Sequence, residues 1–232
     1  MRQSNLLGTT AVLLTVIATF SGNAHAAADI ERGRGVALGG STAVSPRSAC
    51  HTCHGLNGAG DASGAFPRLS GQSAWYLYKQ LRDYAAGERE NQIMSPIAKA
   101  LSDQEMEDVA AFYAEQSAPD LTQAKSAPDP QLLQQGAAIS AAGLQQKGVA
   151  ACVNCHGPAG RGLPPSYPYL AGQYAPYVEL QFRFWREGQR RNSPLGVMEH
   201  IATQLSNEEI KAVAAYFSSL PPPRSRDVVG SR

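Results

Sequence analysis

The chain has four cysteines, and all four are spent in two copies of one short pattern, Cys50-His51-Thr52-Cys53-His54 and Cys152-Val153-Asn154-Cys155-His156. Two thiols three residues apart on a helical turn point to the same side, so both can reach the vinyl groups of one porphyrin while the histidine that follows faces the metal. This is the pattern of c-type haem attachment. Cys50, Cys53, Cys152 and Cys155 are therefore expected to carry thioethers, and His54 and His156 to ligate iron, in two covalently bound haem c groups. A thioredoxin-like dithiol would need a βαβ surround. A zinc site would need four ligands converging from one domain, whereas these pairs lie far apart in the chain. No cysteine is left for a structural disulfide.

The sixth iron ligand separates a carrier from a catalyst, because a thioether closes the metal and an open position admits substrate. Only four methionines exist. Met94 and Met198 hold matching places, 40 and 42 residues after the two proximal histidines and just before the last helix of each half, and are expected to ligate iron rather than merely fill core. Met106 stands opposite Ile210 at helical spacing and is expected in the core. His200, two residues past Met198, is opposite Pro96, which cannot ligate, so it is expected at the surface or behind the ligands. His51 lies between two haem-bound cysteines and faces elsewhere; His25 falls in the leader described below. Thioether ligation favours ferrous iron and raises the potential. A dihaem enzyme, such as a peroxidase or a thiosulfate dehydrogenase, would need an open or differently ligated iron, which the paired methionines oppose. The chain is thus read as an electron carrier and not an enzyme.

These ligands need elements to hold them, and an internal repeat shows what the elements are. Pro67-Arg68-Leu69-Ser70-Gly71-Gln72 returns as Pro168-Tyr169-Leu170-Ala171-Gly172-Gln173, Tyr76 and Gln80 as Tyr177 and Gln181, and Leu101-Ser102-Asp103 as Leu205-Ser206-Asn207. Capping boxes at Ser102 with Glu105 and Ser206 with Glu209 open the last helix of each unit, with Val109, Phe112 and Tyr113 and then Val213, Tyr216 and Phe217 on the apolar side. Further helices are expected from about Ala74 to Ala86 and from about Pro176 to Glu187, ended by Gly87 and Gly188. No alternating strand pattern is present, so the fold class is all-α. The glycines after each histidine lack the preceding strand that a phosphate loop requires; they let the backbone turn tightly against a haem edge.

The expected organisation is a signal peptide over 1–26, a first haem domain over 27–117, a proline-containing connector over 118–130, a second haem domain over 131–221 and a tail over 222–232. The leader pairs Arg2 with an apolar run from Leu6 to Phe20 and ends in Ala24-His25-Ala26. That run is shorter than a membrane span and is followed by an A-x-A site, which favours cleavage and export to the periplasm over an uncleaved anchor.

Taken together, two C-x-x-C-H motifs, each followed by P-x-L-x-G-Q and by a methionine ahead of L-S-[DN]-x-E, resemble the dihaem class I cytochromes of the cytochrome c4 family. The resemblance covers nearly all of the chain after the leader. It implies a tandem pair of cytochrome c domains, histidine and methionine on each iron, and service as a periplasmic donor to a membrane-bound terminal oxidase or reductase, fed by an upstream electron donor. It also implies that the carbonyls of Pro67 and Pro168 hold the proximal histidines, although Pro67 lies 13 residues after His54 and Pro168 only 12 after His156, so the first loop is expected to bulge. A cytochrome subunit of a larger dehydrogenase would share every one of these motifs.

Net charge is +1, but residues 27–117 carry 8 basic and 11 acidic side chains and residues 118–232 carry 11 and 8. Such an imbalance either steers the two domains to different partners or is spread over ordinary solvated surface. Near-neutral charge argues against a nucleic-acid partner. Peripheral association with a membrane is compatible with it.

Overall fold

The computed structural model describes residues 27–40, 49–117 and 129–223. The expected signal peptide, most of the connector and the end of the tail lie outside the described residues. Among the described residues there are α-helices and short 3-10 turns, and the only β pairing is three isolated bridges. No helix there is long and apolar enough to cross a membrane.

Each half repeats one plan. The first contains α1 (Ile30–Ala37), α2 (Cys50–His54), α3 (Ala74–Ala86), α4 (Met94–Ala100) and α5 (Asp103–Glu115). The second contains α6 (Pro130–Ala142), α7 (Val153–His156), α8 (Ala175–Arg186), α9 (Val197–Gln204) and α10 (Asn207–Ser219). Both capping boxes are formed, the Ser102 and Ser206 side chains accepting from the amides of Glu105 and Glu209 while those carboxylates reach back. Gly87 takes the left-handed conformation that ends α3. Pro130, expected in the connector, is instead the first residue of α6. Asp129 caps that helix by accepting from the Gln131 amide at 2.9 Å, and proline suits the first turn, where its missing N–H costs nothing.

In each domain the first helix crosses the last, α1 on α5 and α6 on α10. The crossings depend on glycine. A Cβ on Gly33 would stand 2.0 Å from the Asp108 carbonyl oxygen, and one on Gly136 would stand 2.1 Å from that of Ala212, so the backbones touch and no side chain fits between them. Around the first crossing, Val36, Leu101, Met106, Val109, Phe112 and Tyr113 form one core. Met106 is 4% exposed, the core residue its spacing implied. The second domain gathers Val178, Phe182, Leu205 and Ile210 about α8 to α10, with Ile139, Val213 and Phe217 at the crossing.

The first crossing has a polar clasp that the second lacks. Asp108, 1% exposed, accepts from the Asp29 amide at 2.7 Å, from Arg32 Nε at 2.8 Å and from Gln104 Nε2 at 3.1 Å; its place in α10 is taken by Ala212. Burial pushes the Asp108 carboxyl up, but these donors outweigh it and the net shift is downward. Its stabilisation is therefore complete above the ordinary carboxylate range, near pH 4, and is lost as pH falls through the depressed value. Asp108→Ala is expected to destabilise the first domain by about 2 kcal/mol at pH 7, with the gap from the parent closing in acid. Urea unfolding of the haem-loaded protein at both pH values measures this, and a gap that does not change with pH would contradict it.

Candidate haem-binding sites

The two attachment motifs fold alike. Cys50 to His54 form one helical turn and a half, and Cys152 sits in right-handed helical geometry at the head of α7. All four thiols are free. Burial pushes Cys50 and Cys152 each up to about 11, and both pack on the crossing cores. Among the described residues no cluster of three His, Cys, Asp or Glu side chains converges as a bare metal site would require.

His54 and His156 are buried, 7% and 9% exposed. The Nδ1 of His54 is 3.1 Å from the Pro67 carbonyl oxygen, and that of His156 is 2.9 Å from the Pro168 oxygen. A carbonyl only accepts, so Nδ1 carries the proton and Nε2 keeps its lone pair, which is the tautomer an axial ligand needs. Burial lowers both imidazoles below their ordinary range, with the proline carbonyls opposing it, and keeps them neutral at pH 7. Phe66 and Tyr167 meet the two rings edge-on with identical geometry, centroids 6.3 Å apart at 76°.

The extra residue of the first loop is absorbed without disturbing this. The Asp61 amide bonds the Phe66 carbonyl at 2.8 Å where the Leu163 amide bonds the Tyr167 carbonyl at 3.0 Å, so the bulge lies between Gly60 and Phe66 and both prolines arrive in register. Gly58 and Gly60, like Gly160 and Gly162, have positive φ and press on the proline loop or the last helix, where a Cβ would fall within 2.9 Å of a neighbour.

Met94 opens α4, its amide donating to Asn91 Oδ1 at 2.8 Å. Met198 lies in the first turn of α9, its amide donating to Ser193 Oγ at 3.0 Å, and it packs on the second core. Three additional residues ahead of Met198 form a 3-10 turn whose Leu195 has φ 55° and a fully exposed side chain. His200 is exposed and lies beside Gly148. His51 Nδ1 donates to the Ala37 carbonyl oxygen, 3.0 Å away, tying α2 to α1.

The loops that back the histidines also join the domains, a role the motifs alone did not disclose. The amide of Arg68, next to Pro67, donates to Gln173 Oε1, and Gln173 Nε2 donates to the Arg68 carbonyl, both at 3.0 Å. Symmetrically, the amide of Tyr169, next to Pro168, donates to Gln72 Oε1, and Gln72 Nε2 returns to the Tyr169 carbonyl, both at 3.2 Å. Each histidine's support is thus keyed to the opposite domain. The sequence did carry a signal: from Gln72 to Asn91 the repeat keeps an unbroken offset of 101 residues, with identical polar residues at Gln72, Gln80, Arg89 and Asn91, where a lone domain would tolerate many others.

Comparison with known proteins agrees. The family model described as cytochrome c matches residues 40–117, and that described as cytochrome c oxidase, cbb3-type, subunit III matches 136–217. Cytochrome c4 of Pseudomonas aeruginosa is 37% identical over 90% of this chain and 97% of its own. The chain belongs to the cytochrome c4 family. Reduced recombinant cytochrome c4 from Pseudomonas stutzeri superposes with a TM-score of 0.71 at 34% identity, covering 84% of this chain and 100% of that one. The thiosulfate dehydrogenase electron acceptor of Stutzerimonas stutzeri is 45% identical over 74% of this chain and 79% of its own. Thiosulfate dehydrogenase (TsdBA) from Marichromatium purpuratum superposes with a TM-score of 0.74 at 34% identity, covering 83% of this chain but only 40% of that one. As a cytochrome c4 relative this chain is a dihaem electron-transfer cytochrome with two covalently attached haem c groups. The residues present fit that cofactor: free thiol pairs, two imidazoles with Nε2 available, and a buried Trp185 Nε1 with no protein partner.

Proposed function

We propose that Cys50 with Cys53, and Cys152 with Cys155, form the thioethers, that His54 and His156 bind iron through Nε2, and that Met94 and Met198 close the opposite face. Pro67 and Pro168 hold the histidine rings, which keeps the donor atoms fixed between oxidation states. The bound haem supplies a reversible ferric/ferrous couple. The protein anchors it, excludes water and leaves little to rearrange when an electron arrives.

The chain then works as a periplasmic two-haem relay that takes electrons from a dehydrogenase of the thiosulfate-oxidising kind and passes them to a membrane-bound oxidase or reductase. The observation that carries this donor is the 45% identity with a thiosulfate dehydrogenase electron acceptor, against 37% with the Pseudomonas aeruginosa cytochrome c4. A second reading has its own support, since the Marichromatium chain contains much more than the part that resembles this protein: the relay stays bound to its dehydrogenase as a subunit.

Mixing the oxidised dihaem protein with a purified thiosulfate dehydrogenase and thiosulfate, and following haem absorbance, tests the donor. Reduction is expected at a rate that rises with enzyme concentration and falls with ionic strength, since opposite domain charges steer encounter. Reduction no faster than with thiosulfate alone would sink the donor, and a rate indifferent to salt would sink steering. Co-elution of the two proteins at high salt would select the subunit reading.

A further inference from the structure

The helix that carries Met198 is fastened at both ends by charged side chains whose places in the first domain are taken by others. α9 follows the Pro194-Leu195-Gly196 turn, and that insertion moves the repeat from an offset of 101 residues at Asn91 and Asn192 to 104 at Met94 and Met198. Leu195, at the tip of the turn, is fully exposed, so burial does not seat it. Polar contacts close it instead. The Ser193 amide donates to Glu199 Oε1 at 3.2 Å, the Ser193 hydroxyl donates to Glu199 Oε2, and the same hydroxyl oxygen accepts from the Met198 amide at 3.0 Å. A carboxylate in the first turn of α9 thus reaches back across the inserted turn and, through one serine, fixes the backbone of the methionine.

At the other end, Arg186, the last residue of α8, reaches over the C-terminus of α9. Its Nε donates to the Ala202 carbonyl at 2.6 Å, Nη2 to the Leu205 carbonyl, and Nη1 to Asn207 Oδ1 at 2.7 Å. The last carbonyls of a helix have no partner within it, and a cation there meets the negative end of the helix dipole. The planar fork adds direction to these charge-assisted bonds. One guanidinium therefore ties α8 to the end of α9 and the start of α10.

The first domain is built differently at both places. Ala85 stands where the second has Arg186, and Ser95 where it has Glu199. Arg82, about one turn before Ala85, donates to Asp103 Oδ1 at 3.0 Å and to the Tyr78 hydroxyl at 2.8 Å, which joins α3 to α5. The Met94 amide rests on the neutral Asn91 side chain. In the second domain, Met198 and Ile201 press on Val178, Phe182 and Leu205 between the two fastenings. With eight residues α9 has only about two turns, so a displacement of either end reaches Met198.

We propose that Arg186 and Glu199 are positioning residues for the second haem, which hold α9 in the register that keeps the Met198 thioether on iron. The proposal rests on Met198 as the sixth ligand. Both side chains act through the backbone of α9, and they act on the second haem alone.

The test is a titration of the full-length ferric dihaem protein with imidazole, following the long-wavelength methionine-to-iron band. Parent, Arg186→Leu, Arg186→Lys, Glu199→Leu and Glu199→Gln are compared, each checked for two haems per chain, and the set is repeated with Met94→Leu so that only the second haem gives the band. Each leucine variant is expected to lower the imidazole concentration that half-displaces the second methionine about tenfold, with the first haem moving less than about twofold. Lysine and glutamine keep part of the bonding, and a shift of about threefold is expected from each. A variant that unfolds earlier in urea but titrates as the parent does would assign both residues to folding alone and overturn the proposal. Equal shifts at both haems, or conservative variants as severe as leucine, would overturn it too. If the leucine variants fail to retain both haems, the threefold shift at the second haem alone decides, and its absence rejects the positioning role. A parent without the band would instead overturn the methionine reading beneath it.

Discussion

Exchanging Cys50 and Cys53 together for alanine is expected to leave one haem per chain and a first domain without stable structure. That domain has little apolar material of its own. Its described core is seven buried residues around the α1/α5 crossing, and the stretch from Gly55 to Ser73 contains no helix and turns through Gly55, Gly58, Gly60, Gly64 and Gly71, all at positive φ. Backbone of that kind has a high conformational entropy to lose, and small domains bury too small a fraction of their surface to offset it unaided. The porphyrin supplies the missing apolar face, and its covalent attachment makes the effective ligand concentration very high. Haem-to-protein stoichiometry is expected to fall from two to one and the helical circular dichroism to fall by about half. A native-like spectrum with one haem would show that the polypeptide folds this domain by itself.

What the sequence disclosed, and what it hid, follows from the range of the interactions concerned. The capping boxes at Ser102 and Ser206 and the apolar stripes behind them are local, so α5 and α10 could be read directly, as could α3 between Ser73 and Gly87. The first helix of each domain could not. In α1, Ile30–Ala37, two glycines and two arginines dilute the apolar pattern, and Gly33 reads as a helix breaker until its contact with Asp108 shows why no larger residue fits. In α6 the start was hidden inside a proline-rich connector, because Asp129-Pro130 is equally a turn and a helix cap. The haem motif was legible because covalent chemistry fixes its spacing. The glutamine clasp was not, since contacts between domains leave no period in either one, only the constancy of offset between Gln72 and Asn91 that becomes meaningful once both halves are seen together.

Met198→Ala is expected to lower the potential of the second haem by on the order of 0.2 V, within the roughly 0.8 V that changes of axial ligand span, while the first haem moves far less. The competing account is that Met198 only fills a gap in the core of Val178, Phe182 and Leu205, as methionine readily does. Met198→Leu separates the two. Leucine conserves volume, and such exchanges in a core usually cost under about 1.5 kcal/mol, so a packing residue would leave the potential almost unchanged, whereas a ligand lost is lost as fully to leucine as to alanine. The same pair of substitutions at Met94 is expected to act on the first haem. His200 is exposed and lies beside Gly148 at the surface, so it is not expected to replace the methionine. The opened iron is therefore expected to bind cyanide or carbon monoxide quickly where the parent binds them slowly. Equal potentials for parent and Met198→Leu would assign the methionine to packing and leave the sixth position to another group.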